Sequence, residues 1–226
     1  MRYAPFALVM AAAIALPAFA APAQKLPANV TVSADKTRVT FTHVDGARTA
    51  AKPSSLPVIF DNFAEKYPHG RYSPNSGYGV YGPNSIFPTR GWAAMPFTPA
   101  ADGSITRVEV PLKYVSGTNR AILSIRQDNA GVPGAALQSW TVKGMITGGT
   151  CCTVTHVSSN GIPVQAGHRY WVMLSTDTHS KDAFLTWCMN VTEPLLDVDI
   201  ARDQGDGWTI HTQAPGSAFA VYGAAP

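Results

Sequence analysis

From residue 105 to residue 223 the chain alternates short apolar runs with breaks rich in Gly, Asn, Asp and Pro, and this pattern constrains the fold more than any other feature. Val108, Val110, Leu112 and Tyr114 alternate with Arg107, Glu109, Pro111 and Lys113, the period of two that belongs to a strand with one apolar face. Ser116-Gly117-Thr118-Asn119 turns the chain, and residues 120–127 return through Ala121, Leu123 and Ile125. Asp128-Asn129-Ala130-Gly131-Val132-Pro133-Gly134 is a second turn cluster, followed by strand-like residues 137–143 and 150–157. Residues 168–175 (HRYWVMLS) and 183–190 (AFLTWCMN) are apolar on both parities, which predicts central strands covered on both faces. Residues 208–211 and 218–223 close the series. Strands at this spacing predict an all-β, antiparallel, single domain over residues 57–226.

The segment before that domain divides in two. MRYAPFALVMAAAIALPAFA has a basic start at Arg2, an apolar stretch too short to span a bilayer, and a small-x-small site at Ala18-Phe19-Ala20. Residues 1–20 are therefore expected to be a signal peptide, with a secreted or periplasmic product and no membrane span. Residues 21–56 are expected to be an N-terminal arm and linker, in which Val30 and Val32 pair with Val39 and Phe41 or stay loose until something pairs with them.

Loss of 20 residues from 226 leaves 206, enough for one β-domain plus the arm. Only Arg2 leaves the charge count of 17 basic and 14 acidic residues, so the product carries about +2 with no Lys/Arg run, and nucleic acid is not an expected partner. In an exported chain, the three cysteines permit one disulfide and leave one thiol. A vicinal Cys151–Cys152 bridge is strained, so Cys188 is expected to pair with Cys152 or with Cys151.

The run GTNRAILSIRQDNAGVPGAALQSWTV, then TCCTVT, PVQAGHRYWVMLS, FLTW and finally AFAVYG resembles the choice-of-anchor R domain of exported bacterial proteins. The D-N-x-G-x-P-G turn and the A-G-x-x-Y-W strand carry most of the likeness. The resemblance implies a jelly-roll-like β-sandwich in a surface or secreted protein. It brings no catalytic residue with it.

Few residues suggest chemistry. Asp203-Gln204-Gly205-Asp206-Gly207-Trp208 fits an Asp-box hairpin, in which the carboxylate accepts backbone N–H groups, the glycine takes positive φ, and the tryptophan packs beneath. Asp203, Gly205 and Trp208 are thus expected to form a structural turn. Asp197, Asp199, Asp203 and Asp206 invite a calcium reading, as do Asp61 and Asp128-Asn129, but neither set has EF-hand spacing, and no metal or other cofactor is expected. The six histidines are scattered, with no H-E-x-x-H, and G-x-S-x-G is absent. No pair of facing carboxylates can be nominated for a glycosidase.

The remaining candidate is the aromatic stretch YPHGRYSPNSGYGVYGPNSIFPTRGW. There Tyr72, Tyr78, Tyr81 and Trp92, with Arg90 beside them, are candidate stacking and hydrogen-bonding groups for a sugar; the competing expectation is that the rings pack beneath a Gly/Pro-rich loop. The sequence thus predicts a non-catalytic exported module with a recognition or structural role, its partner an extracellular polysaccharide or cell-surface component. Two alternatives stand beside it: a hydrolase acting on extracellular polymer, and an assembly subunit whose arm adds a strand to a neighbour.

Overall fold

The computed structural model describes residues 24–42, 55–63, 72–147, 154–190 and 198–224. Residues 1–20, read above as a signal peptide, and Cys151, Cys152 and Asp197 lie outside these residues. The described strands are β1 (Val30–Val32), β2 (Arg38–Phe41), β3 (Val58–Asp61), β4 (Ser76–Tyr81), β5 (Trp92–Phe97), β6 (Gly103–Ser116), β7 (Arg120–Asn129) and β8 (Val132–Lys143). They continue with β9 (Ile146–Thr147), β10 (Val154–Val164), β11 (Tyr170–Ser175), β12 (Phe184–Cys188), β13 (Val198–Asp203), β14 (Trp208–Ala214) and β15 (Ala220–Ala224). No described segment is helical.

The strands form two sheets. The six-stranded sheet runs β14-β13-β5-β11-β7-β8. The nine-stranded sheet runs β1-β2-β4-β12-β6-β15-β3, with β9 and β10 also on β6. All pairings are antiparallel except the two-residue contact of β9 with Lys113 and Tyr114. The expected sandwich therefore forms. β6 is its spine: β10 and β15 flank its first half, and β12 and β9 flank its second.

The core lies between the sheets and follows the parity read from sequence. Val108, Val110 and Leu112 of β6 meet Ala121, Leu123 and Ile125 of β7, with Val172 and Leu174 of β11 and Leu185 and Trp187 of β12. Burial of such side chains drives folding at roughly 25 cal/mol per Å² of apolar area. β11 and β12 are buried along their whole length, as their double-parity apolar sequences predict. Each is also central in its sheet, β11 between β5 and β7 and β12 between β4 and β6.

The other face of β6 departs from expectation. Glu109 and Lys113 alternate away from the core, yet both are buried. Arg107 Nη2 sits 2.7 Å from Glu109 Oε1, and the Tyr222 hydroxyl donates to Oε2 at 3.3 Å. Lys113 Nζ donates to the Pro74 carbonyl at 2.5 Å and lies 4.9 Å from the centre of the Phe41 ring. Two further apolar clusters cover this outer face, one of Phe63, Tyr72, Cys188, Ala218, Ala220 and Tyr222, the other around Val39, Phe41, Tyr81 and Phe184.

Those clusters bear on two more expectations. In the described part of the arm, β1 and β2 form the hairpin that is one of the two expectations, and β2 pairs with β4, burying Val39 and Phe41. Cys188 is a buried free thiol, so the expected bridge from it is not formed here. Its place in β12, enclosed by Phe63, Tyr72 and Ala218, leaves it no open side, and burial pushes the thiol up to about 11.

The turns follow local chemistry. Ala130 and Gly131 both take positive φ between Asn129 and Val132, which pair across the β7–β8 hairpin. Asp128 ties this turn to the sheet, accepting the Gly131 N–H at 2.9 Å and the Trp171 Nε1–H at 2.7 Å.

Candidate functional site

The candidate tyrosines of the aromatic stretch are buried. Tyr72, Tyr78 and Tyr81 are 5 %, 4 % and 0 % exposed. Tyr78 and Tyr81 lie on β4, an interior strand of the nine-stranded sheet, and are covered on opposite faces, Tyr78 by the main core and Tyr81 by the outer cluster of Val39, Phe41 and Phe184. Tyr78 joins the main core and donates its hydroxyl to the Pro215 carbonyl at 2.7 Å. Tyr72 stands beside Phe63 with ring centres 6.3 Å apart, and the Tyr81 ring packs against Phe87 at 4.6 Å. Tyr81 and Gly91 exchange two backbone hydrogen bonds of 2.8 Å, closing residues 82–90 into a loop. A Cβ on Gly91 would lie 2.2 Å from the Tyr81 ring, so the ring requires glycine there.

Arg90, Trp92 and Asp203 do come together, as a structural unit. Arg90 grips Asp203 through Nε–Oδ1 at 3.3 Å and Nη2–Oδ2 at 2.8 Å, with its guanidinium 4.3 Å from the Trp92 ring. Asp203 Oδ1 also accepts the Gly205 N–H at 2.8 Å, and Gly205 takes φ +114°. Trp208 pairs with Asp203 across the hairpin and packs with Trp92 and Ile210 against Trp171. Asp203, Gly205 and Trp208 lie together at the β13–β14 turn.

The cation readings find no support in this geometry. Both oxygens of Asp203 and both of Asp128 are taken by N–H donors. Asp61 accepts the Phe63 N–H at 2.7 Å. Among the described residues, no three His, Cys, Asp or Glu side chains converge as metal ligands.

The functional candidate that the sequence reading passed over is Arg202, one residue before Asp203. It pairs with Ala93 across β5, whose side chain faces the core, so Arg202 points inward while Asp203 points outward. Arg202 is 2 % exposed, and none of Nε, Nη1 and Nη2 has a hydrogen-bond partner. Its guanidinium lies 5.7 Å from the centre of the Tyr78 ring, a cation–π contact that supplies no acceptor. The Tyr81 hydroxyl, also buried and without a full hydrogen bond of its own, is near enough to support the Arg202 charge. Burial pulls the Arg202 proton affinity down, against the opposing pull of Tyr81, Tyr78 and Asp35.

Arg202 floors a cleft of about 140 Å³ between the edges of the two sheets. Tyr78 lies on the floor beside it, and Asp35, Thr37 and Arg38 of the β1–β2 hairpin form one wall. His211 and Ala214 of β14 form the other. The hairpin wall is ordered by its own polar network. Ser33 Oγ donates to Asp35 Oδ1 at 2.5 Å and Thr37 Oγ1 to Oδ2 at 2.7 Å. Partial burial would raise the Asp35 carboxyl, but the bonds from Ser33 and Thr37 outweigh it and hold the group below its usual range. Gln204 Nε2 donates to the Asp35 carbonyl at 2.9 Å, locking the hairpin to the turn that follows Arg202.

Two other depressions, of about 180 and 300 Å³, lack such a group. The first is lined by β3 and residues 100–103, and the second includes Asp128, whose oxygens are already engaged. A cation at an inward strand position was the sequence signal for the cleft. Ile200 and Arg202 share one parity of β13, and only the first is apolar.

No protein-family model, curated protein or solved structure matches this chain.

Proposed function

We propose that the chain is a non-catalytic, jelly-roll-like recognition module, exported from the cytoplasm, that takes its ligand in the cleft floored by Arg202. The carrying observation is the buried guanidinium, with all three nitrogens unpaired, of a residue that lines the cleft. Burying an unpaired charge costs several kcal/mol, so a fold that keeps one beside a cavity keeps it for something that enters. The export pattern of residues 1–20 and the resemblance to choice-of-anchor R domains support a surface or extracellular setting. An extracellular polysaccharide or cell-surface component is the class of partner.

The test is retention of the mature protein on a panel of extracellular polysaccharides, with amide perturbations mapped by NMR. Perturbations should centre on residues 35–38, 78, 202 and 211. A ligand mapping elsewhere, or no retention across the panel, removes the reading.

A second reading, assembly by strand addition, is supported by the ends of the nine-stranded sheet, one of which is the arm strand β1. Among the described strands, β1 of the arm pairs only with β2 and β3 pairs only with β15, so these are the two ends of the nine-stranded sheet. Val58 on β3 is 59 % exposed, so β3 offers a free edge of the kind strand addition uses.

A further inference from the structure

We infer that the cleft takes a carboxylate, the acidic end of a monoanionic ligand such as a uronic sugar, held on Arg202 with Arg38 at the mouth. This rests on the cleft being the binding site and goes further in naming what it selects. A guanidinium presents its N–H groups in a planar fork whose best partner is a planar, two-oxygen anion. On Arg202 every nitrogen of that fork is unspent. Among the described residues, no acid fills the role. Asp35, the carboxylate in the cleft, is held by Ser33 and by the Thr37 hydroxyl and N–H.

The charge count sets the size of the anion. Arg202 and Arg38 contribute two positive charges and Asp35 one negative charge, leaving +1 with His211 neutral. One carboxylate neutralises that; a phosphate dianion would overshoot it and face the fixed Asp35 carboxylate. A neutral sugar would satisfy N–H groups but leave the charge uncompensated, and so would water. The cleft of about 140 Å³ admits a carboxylate and the atoms next to it, while the rest of a larger ligand would lie along the exposed hairpin and β14.

The experiment titrates the mature protein with sodium D-glucuronate, D-glucose and inorganic phosphate at fixed ionic strength, reading amide shifts and melting temperature. Glucuronate should perturb the cleft and raise the melting temperature in proportion to its occupancy, glucose should do neither, and phosphate should act more weakly than glucuronate. Arg202→Met should weaken glucuronate binding by on the order of tenfold or more, because a charged, two-point contact is lost. Arg202→Lys should retain only part of the binding, since it keeps the charge and loses the fork. If Arg202→Met does not fold, Arg38→Gln on the exposed wall should still weaken glucuronate several-fold.

Equal response to glucose and glucuronate would overturn the carboxylate assignment while leaving the cleft as the binding site. A stronger response to phosphate would overturn it in favour of a phosphorylated ligand. Undiminished glucuronate binding in both arginine variants, or none to the wild-type protein, would leave the guanidinium a structural group and remove the inference. Perturbations centred away from the cleft would remove the inference and the proposed function together.

Discussion

Arg202 and Asp203 are neighbours on one strand, yet they sit in opposite conditions. Asp203 faces the outer side of the six-stranded sheet, where Arg90 and the Gly205 N–H saturate it. Arg202 faces inward, where its guanidinium has no partner. Both residues are buried, so the difference lies in what each was supplied with. A saturated buried ion holds a fold together, since removing its partner strands a charge. An unsaturated one weakens the fold and is expected where a ligand completes it. This contrast separates the structural hairpin from the candidate site, although both come from one six-residue strand.

The largest effect should come from the ring that packs between the two regions. Tyr81→Ala removes an aromatic ring packed against Phe87 and Phe184, and should cost roughly 3–5 kcal/mol by chemical denaturation. A near-wild-type midpoint would restore Tyr81 as an exposed stacking residue and undo the contrast as drawn.

The next variants address the neighbours themselves and should differ in sign. Asp203→Ala should destabilise by about 1–3 kcal/mol, because the turn loses its acceptor and Arg90 its partner. Arg202→Met, which fills similar volume without charge, should be neutral or stabilising in the absence of ligand. Matched urea titrations decide it. A destabilisation by Arg202→Met as large as that of Asp203→Ala would mean that the guanidinium is satisfied after all.

The smallest effect sharpens the saturated half. Arg120 grips Asp177 at 2.6–3.3 Å, and Ser180 and the His179 N–H also donate to it, as Asp203 is gripped, but nearer the surface. The hydrogen bonds from Arg120 chiefly hold the Asp177 carboxyl well below the usual carboxylate range. A carboxyl with a depressed folded pKa stabilises the protein fully above its unfolded pKa of about 4 and loses that contribution as pH falls. The melting-temperature gap between wild type and Asp177→Asn should therefore be widest at pH 6–7 and narrow progressively below about pH 4. An ion pair so near the surface contributes at most about 1 kcal/mol, so the gap is modest throughout. A gap unchanged at pH 3 would show that the pairing contributes nothing through charge.

Much of the sandwich was legible because it depends on neighbours in sequence. The alternation of β6, the double-parity runs of β11 and β12, the Asp128–Pro133 turn and the Asp203–Trp208 hairpin are set by side-chain parity and backbone freedom within a few residues. The candidate site was not legible, because its parts are far apart in the chain. Arg38, Tyr78 and Arg202 come together only when β2 docks on β4 and the edges of the two sheets close on each other. The same distance hid the burial of Tyr78 and Tyr81, whose Gly/Pro-rich surroundings read locally as a loop.

Sequence by itself thus determined the all-β class, the strand spacing and the turns, since these follow from period and φ preference. Only the tertiary structure decided that the arm's hairpin joins the sheet, that Cys188 stays a thiol, and that Arg202 faces an open cleft without a partner. Local pattern sets which way a side chain points, while what it finds there is supplied by segments far off in the chain, as where Gln204 meets Asp35 across 169 residues.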